Sequence, residues 1–202
     1  YQCDWSSDVC SSDLDEHLIC DNLARPTRLD SHLQRQVEQN LAHQDDKPDA
    51  VNAMDFLRDW AGDATAPSLF ALLGEYGMGK TITTQRLVRI LEQERQSAPA
   101  DWPQALYFDL RKLTGLRQGP VPSLNSIVDE CIRRGWALGQ DAPSASELLA
   151  RSQTHAQLWI FDGLDEALVH LSEVDGQNFT RELLRLQPRA GAPWHPATKL
   201  LI

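Results

Sequence analysis

What the sequence lacks narrows the classes of protein to which it can belong. No apolar run approaches the roughly eighteen residues of a membrane-spanning helix, and no secretory signal is visible. Basic residues are scarce, with 19 Lys and Arg against 29 Asp and Glu and a net charge of −10. This balance argues against a nucleic-acid-binding surface as the main function. We therefore expect no membrane and no direct nucleic-acid partner, and 202 residues suffice for one domain with a full core.

The first fourteen residues look unlike the rest of the chain. Residues 4–14 resemble the in-frame translation of a common short-read sequencing adapter, so we hypothesise that residues 1–14 are an artefact. A natural Ser/Asp-rich tail is the alternative. Without them the net charge becomes −7, because three of the 29 acidic residues and none of the 19 basic ones are lost. Only Cys20 and Cys131 then remain, without metal-ligand spacing, and a reduced cytoplasmic compartment is expected.

One glycine-rich stretch fits the pattern G-x-x-x-x-G-K-[ST], a phosphate-binding loop. Its candidate nucleotide-binding residues are Gly74, Glu75, Tyr76, Gly77, Met78, Gly79, Lys80 and Thr81. Glycines let the backbone curl so that its N–H groups point inward and form a nest for phosphate oxygens. Lys80 would reach the β- and γ-phosphates, and the Thr81 hydroxyl would bind Mg²⁺.

The neighbours of this loop decide between a phosphate site and an ordinary turn. Upstream, residues 68–73 form a continuous apolar run, which predicts a strand buried on both faces. Downstream, an apolar stripe at Leu87, Val88, Ile90 and Leu91 predicts a helix that begins near Lys80. The positive N-terminal end of that helix would attract the same anion. Strand, loop and helix follow in the required order, which favours the phosphate site.

A second apolar run ends in an acidic residue. Residues 158–161 predict a buried strand, and Asp162 stands at its C-terminal tip. In a parallel sheet that tip faces the crevice where ligands bind, so Asp162 is a candidate for Mg²⁺, usually through water. The alternative is an acidic turn, since Asp-Gly is a common turn pair.

Further elements follow from periodicity and turn residues. They are a helix from Asp30, a polar linker over 43–49, a helix over 51–62, a strand over 105–110 continuing to Leu113, a helix from Ser123 to Gly135, a short helix over 145–150, a helix containing Phe179, Leu183, Leu184 and Leu186, and a strand starting at Thr198. We interpret residues 15–50 as a helical flank and linker, in which residues 25–28 interrupt a brief apolar run, and residues 51–202 as the core. Alternating strands and helices predict an α/β fold with a parallel sheet and helices on both faces.

With Gly74–Thr81 and the stretch Asp162-Gly163-Leu164-Asp165-Glu166 in place, the chain resembles the NACHT-type NTPases of the STAND signalling class. Phe108–Arg111 resembles the second strand of that family, and Thr198–Ile202 resembles the start of its sensor strand. The resemblance implies a three-layer P-loop NTPase that binds ATP or GTP with Mg²⁺. Because the fourth strand has only begun at Ile202, we expect the sequence to end inside its own domain.

The resemblance also implies how hydrolysis would proceed. Many relatives carry a glutamate beside the Mg²⁺ aspartate to polarise the attacking water, and here that neighbour is Gly163. The role would pass to Asp165 or Glu166, which are the candidate catalytic residues, and hydrolysis is expected to be slow. The alternative is that both carboxylates merely complement the dipole of the next helix.

Three functions remain open from the sequence. The first is a slow signalling ATPase, in bacteria often linked to defence against phage, that self-associates on activation through regions outside this chain. The second is an AAA+-like remodelling ATPase, against which Gly163 counts because continuous turnover favours a carboxylate beside Asp162. The third is a nucleotide-bound scaffold without turnover.

Overall fold

The structure is a computed structural model. It describes residues 51–74, 77–114, 116, 120–136, 142–189 and 191–202, together with the backbone of residues 2–6 and 23–27. The expected helix from Asp30 and the linker over 43–49 lie outside the described residues. The expectations for Glu75 and Tyr76 also lie outside them.

Strands and helices alternate along most of the described chain. The strands are β1 Gln2–Ser6, β2 Leu23–Thr27, β3 Val51–Asn52, β4 Leu69–Leu72, β5 Gln104–Asp109, β6 Gln157–Asp162 and β7 Lys199–Leu201. The helices are α1 Ala53–Gly62, α2 Lys80–Ser97, α3 Leu124–Gly135, α4 Ala145–Thr154, α5 Leu164–Leu168 and α6 Glu173–Leu183, with short 3₁₀ turns at Leu110–Lys112 and Leu184–Leu186.

Four of these strands pair parallel to one another in the order β4-β7-β6-β5. Strand β7 comes last in the sequence but pairs between β4 and β6, with Leu200 opposite both Leu69 and Trp159. Parallel strands end at the same edge of a sheet, so the loops that follow β4, β5 and β6 meet there. The α/β fold with a parallel sheet expected from the sequence is confirmed.

Helices cover both faces of this sheet, and each face has its own apolar core. One core joins α1 and α2 to the sheet, and it takes Leu158 and Ile160 from β6. The other joins α3, α4 and α6 to the sheet, and it takes Trp159 and Phe161 from the same strand. Because side chains of a strand alternate between faces, a strand covered on both sides is apolar along most of its length. All six residues of β6 are buried, as the apolar run predicts.

The structure corrects three details near the beginning of the chain. Val51 lies in strand β3, and α1 begins only at Ala53, because the Asn52 side chain caps it by accepting hydrogen bonds from the amides of Met54 and Asp55. Residues 23–27 form a strand, although the sequence predicted only the interruption of an apolar run there. Proline favours extended backbone both at itself and at the residue before it, so the Arg-Pro pair suits a strand.

Residues 2–6 were excluded from the fold on sequence grounds, yet their backbone forms β1. It pairs parallel to β4 and antiparallel to β2, so the whole sheet has the order β3-β2-β1-β4-β7-β6-β5. Pairing of the backbone does not test where the residues come from. The adapter origin of residues 1–14 and the boundaries at 15 and 51 stay predictions.

Candidate nucleotide-binding site

The glycine-rich loop connects β4 to α2, in the order predicted from the sequence. Gly77 and Gly79 have φ values of 85° and 81°, a left-handed conformation that favours glycine. Gly79 is the N-cap of α2, and among the described residues no side chain caps this helix. The amides of its first turn are therefore directed at the loop, as an anion site requires. Met78 lies within the same turn and packs against the core on the α1–α2 face.

Lys80 is the first residue of α2 and folds back over the loop. Its Nζ donates a hydrogen bond to the carbonyl oxygen of Gly74 at 2.5 Å, which closes the loop onto its own first residue. The same Nζ lies 3.4 Å from Oδ2 of Asp165. The ammonium group thus lies between the loop and the segment after β6.

Asp162 ends β6 and is nearly buried, with 6% of its surface exposed. Its Oδ2 accepts two hydrogen bonds, from the Tyr107 hydroxyl at 2.8 Å and from Nη2 of Arg111 at 3.1 Å. Burial raises the pKa of Tyr107, and the hydrogen bond to Asp162 raises it further, so the phenol stays a donor. The structure places Asp162 at the carboxyl edge of the sheet, as the sequence predicted.

Arg111 is a site residue that sequence reasoning missed. The strand was expected to continue to Leu113, but it ends at Asp109, whose Oδ1 accepts from the Arg111 amide at 3.1 Å and caps a 3₁₀ turn. The turn brings the guanidinium back over the strand ends, where Nε donates to Oδ1 of Asp109 at 2.7 Å. Hydrogen bonding to Asp109 raises the pKa of Arg111 above its already high value, with Asp162 adding to the effect.

A signal for Arg111 was present in the sequence. Asp109 and Asp162 end two neighbouring parallel strands and lie opposite each other in the register. Two carboxylates brought together at one sheet edge require a counter-charge, and Arg111 is the nearest basic residue in the chain. In the sequence analysis Phe108–Arg111 served only as part of the family resemblance.

The two candidate catalytic carboxylates lie in the first turn of α5. Asp165 pairs with Lys80, and Glu166 Oε1 lies 3.9 Å from Nη1 of Arg111. Both are exposed, with side-chain exposures of 59% and 47%. Gly163, which precedes the helix, has a φ of 77°. The structure therefore brings both carboxylates to the edge of the site, each already paired with a basic side chain.

A cavity of about 340 Å³ lies between these segments. Its lining includes Gly74, Lys80, Thr84, Asp162 and Asp165. The volume is at the lower end of the range for small-molecule sites. The sequence predicted that β4 is buried on both faces, but one face is only partly buried. Ala71 and the adjacent Leu73 line this cavity, which explains the difference. A larger groove of about 790 Å³ runs along α6 and shares only Leu168 with the lining described here.

The oxygens at this edge suit Mg²⁺. The Thr81 hydroxyl and the Asp162 carboxylate both contact the Arg111 guanidinium, Thr81 at 3.2 Å from Nη1, so one cation already bridges them. In the described part of the chain no group of three or more His, Cys, Asp or Glu could hold a metal by itself. Mg²⁺ is usually held by one or two protein oxygens together with substrate phosphates, so the donor set fits that mode of binding.

A comparison with known families agrees with this geometry. The family described as the NACHT domain matches residues 68–193, more than half of the chain. The chain belongs to the NACHT family. The match covers the loop between β4 and α2, Arg111, and the whole Asp162–Glu166 segment. NACHT domains are P-loop NTPases, so this one is a nucleotide-binding domain of that class.

Other comparisons add little to the family match. No curated protein matches the chain. Among solved structures, a chain from "Structure of Drosophila ORC bound to DNA" is similar, with 20% identity and a TM-score of 0.41 over 97% of this chain. This chain spans 46% of the length of that chain.

None of the described helices is both long and apolar enough to cross a membrane. Cys131 is buried against α3's apolar core, and burial raises the pKa of its thiol to about 12. It is therefore a core residue and not a reactive thiol. The cytoplasmic location stays a prediction.

Proposed function

We propose that this NACHT domain binds ATP or GTP together with Mg²⁺ and hydrolyses the nucleotide slowly, as a timed switch. The loop between β4 and α2 holds the phosphates, with Lys80 against the β- and γ-phosphates. Thr81 and Asp162 are the proposed Mg²⁺ ligands. When bound, Mg²⁺ neutralises charge that develops on the phosphate oxygens. ATP and GTP share this phosphate chemistry, and the base preference is open.

The observation that carries slow hydrolysis is that both candidate bases begin paired with basic side chains, so that Asp165 has to lose its partner before it can position a water. Asp165 lies 3.4 Å from the Lys80 ammonium, and Glu166 lies 3.9 Å from the Arg111 guanidinium. In each pair the basic group lies against the carboxylate that would otherwise accept the proton of the attacking water. Gly163 supplies no carboxylate directly after Asp162. These features support a site in which phosphates persist for a long time before cleavage.

Nucleotide binding changes this pairing in the proposed mechanism. Lys80 turns towards the phosphate oxygens, because a polyphosphate carries more negative charge than one exposed carboxylate. Asp165 then loses its partner and becomes the candidate that positions the water. Coupling of this kind would make the base available only when the nucleotide is in place.

A phosphate-release assay on the purified chain tests the proposal. With Mg²⁺ and ATP we expect turnover on the order of 10⁻³ s⁻¹, comparable to unstimulated switch GTPases. Asp165→Asn is expected to lower the rate by about tenfold or more, in keeping with the loss of a general base. Lys80→Ala gives the baseline, since it removes the charge that contacts the phosphates.

The outcomes separate the three functions. Turnover above about 1 s⁻¹ would contradict the switch and favour continuous remodelling. Nucleotide that stays bound without any phosphate release would favour the scaffold. A rate that is unchanged in Lys80→Ala would remove the loop from the mechanism altogether.

The output of the switch is a further part of the proposal. In NACHT and related proteins, ATP binding governs opening and self-association, and a γ-phosphate that orders a segment is an established switching device. Self-association on activation is therefore part of the proposal. A role in bacterial conflict, including defence against phage, rests on the family resemblance alone.

A further inference from the structure

The Arg111 guanidinium contacts four oxygen-bearing side chains that converge on the site. Nε donates to Oδ1 of Asp109 at 2.7 Å, Nη1 to the Thr81 hydroxyl at 3.2 Å, and Nη2 to Oδ2 of Asp162 at 3.1 Å. Nη1 also lies 3.9 Å from Oε1 of Glu166. One planar cation therefore spans from the start of α2 to the ends of β5 and β6. The fixed fork of arginine suits such bridging better than the single ammonium of lysine.

Packing against Gly163 and the backbone of the 3₁₀ turn both fix the position of the Arg111 side chain. A Cβ built at residue 163 would lie 2.8 Å from Cγ of Arg111 and 3.1 Å from its Cδ, so the aliphatic stem lies directly on Gly163. The backbone of Arg111 is held by the Asp109 cap of the 3₁₀ turn. Less than a third of the side chain, 31%, is exposed. Arg111 is thus positioned by packing as well as by charge.

Two of the oxygens that Arg111 contacts are the proposed Mg²⁺ ligands. Mg²⁺ needs oxygens at about 2.0–2.1 Å in octahedral geometry, with waters completing the shell. A guanidinium that bridges the Thr81 hydroxyl and the Asp162 carboxylate lies in the space where such a shell would form. Two cations in that space would also repel each other strongly. The site can hold one or the other between these oxygens.

We propose that Arg111 is the resting cation of the site, which binds Thr81 and Asp162 without nucleotide and gives them up when Mg²⁺ enters with the phosphates. The inference rests on the proposed function, because it assumes a Mg²⁺–nucleotide complex here. The guanidinium is one rigid plane, so it turns as a unit about its aliphatic stem during the exchange. Glu166, already 3.9 Å from Nη1, is a carboxylate that can receive it.

This arrangement makes Arg111 a positioning residue that has two opposite effects on metal affinity. It holds the Mg²⁺ ligands in order before binding, yet it must lose two charge-assisted contacts for the metal to bind. Hydrogen bonds to charged groups contribute more than neutral ones, but exposure and salt reduce them here. Removal of the charge should therefore tighten metal binding by about tenfold.

The test is a titration of the whole chain with Mn²⁺ in the presence of saturating ADP. Electron paramagnetic resonance monitors how much Mn²⁺ is bound. Mn²⁺ reports its own binding directly and takes the oxygen ligands that Mg²⁺ prefers. Arg111→Gln removes the charge but keeps an unbranched stem over Gly163, and its Mn²⁺ affinity should rise about tenfold. Arg133→Gln is the matched control, because Arg133 is an exposed arginine on α3 that pairs with Glu130, away from the site.

Mn²⁺ affinity that is unchanged or lowered in Arg111→Gln would overturn the inference. If Arg111→Gln does not fold, Arg111→Lys provides the second reading, since it keeps a charge but loses the fork and should raise the affinity by a smaller factor. Again, no increase in Arg111→Lys would contradict the proposal. If wild-type protein binds neither ADP nor Mn²⁺ with ADP, the proposed function fails first. If wild type binds both and only the Arg111 variants show no effect, the proposed function survives and this inference alone fails.

Discussion

Gly163 illustrates how single residues determine the chemistry of this site. Its φ of 77° lies in the left-handed region, and any side chain there would strike the stem of Arg111. A carboxylate directly after Asp162 would therefore need a different backbone and would displace the arginine. The stem of Arg111 can lie over the site because residue 163 is glycine and not glutamate.

Lys199 is a second residue whose properties are changed by its surroundings, in this case its pKa. It is 1% exposed in β7, and its Nζ donates to the carbonyl oxygens of Trp60 and Asp63 at the end of α1. The ammonium also lies 5.0 Å from the centre of the Trp60 ring. A cation at a helix C-terminus is favourable, but burial dominates and lowers the pKa of Lys199 from 10.5 to about 8, with the Asp63 carboxylate opposing the shift.

The lowered pKa predicts a pH dependence of stability. Below pH 8 both folded and unfolded chains carry the proton, and the cost of burying the charge is fully present. Between about pH 8 and 10.5 the unfolded chain binds more protons than the folded one, so stability rises with pH. Relative to Lys199→Met, the wild type should gain about 2 kcal/mol between pH 8 and pH 10.

Urea unfolding of both proteins at each pH measures this difference. Other groups that titrate in the same range, Tyr107 among them, are common to both proteins and cancel in the comparison. A difference in unfolding free energy that stays constant with pH would show that Lys199 keeps an ordinary pKa in the fold.

At the scale of elements, helix α4 is set by its first turn. The Ser144 hydroxyl accepts from the Glu147 amide at 3.3 Å, and the Glu147 carboxylate accepts from the Ser144 amide at 2.7 Å. This reciprocal pair is a capping box, and it satisfies two donors at the helix end. The Asp129 carboxylate of α3 accepts from the Ala145 amide at 2.6 Å and so links the two helices.

Ser144→Ala should therefore destabilise the protein by about 1 kcal/mol, because it leaves a first-turn amide without its acceptor. Chemical denaturation gives the value. Ser146→Ala is the matched control, since Ser146 is exposed inside the same helix and alanine is the better helix former there. Equal losses in both variants would mean that the cap contributes nothing specific.

The elements also show where sequence patterns succeed and fail. Strand β6 was predicted because an apolar run with an acidic end has few other interpretations. The prediction for the end of β5 was wrong, because the Asp109 side chain accepts a hydrogen bond from the Arg111 amide and the backbone turns before Leu113. Hydrogen bonds of this kind between side chain and backbone are local, but the apolar periodicity of the sequence does not predict them.

At the scale of the whole molecule, the site joins two separately packed cores. The loop and α2 belong to the α1–α2 face, while Phe161, just before Asp162, belongs to the core of α3, α4 and α6. A nucleotide that contacts Lys80 and Asp162 together would bind only when both halves are in place. Ligand binding should therefore stabilise the folded chain as one unit.

Thermal unfolding with Mg²⁺ and ADP at about 100 times the dissociation constant should show this stabilisation. The linkage corresponds to about 2.7 kcal/mol, which raises the Tm by about 5–10 °C for a domain of this size. Asp162→Asn should keep part of the shift but lose its dependence on Mg²⁺. An equal shift in Lys80→Ala would place the nucleotide elsewhere.

The sequence by itself determined the α/β class, the phosphate loop, the buried strand before Asp162 and the family. These depend on local patterns: glycines and a lysine at fixed spacing, apolar runs, and an acidic residue at the tip of a strand. Only the tertiary structure decided that β7 pairs between β4 and β6, that Lys80 and Asp165 meet, and that Arg111 bridges Thr81 and Asp162. Those contacts join residues 30 to 131 positions apart, and they follow from sheet order and from backbone turns that no short pattern encodes.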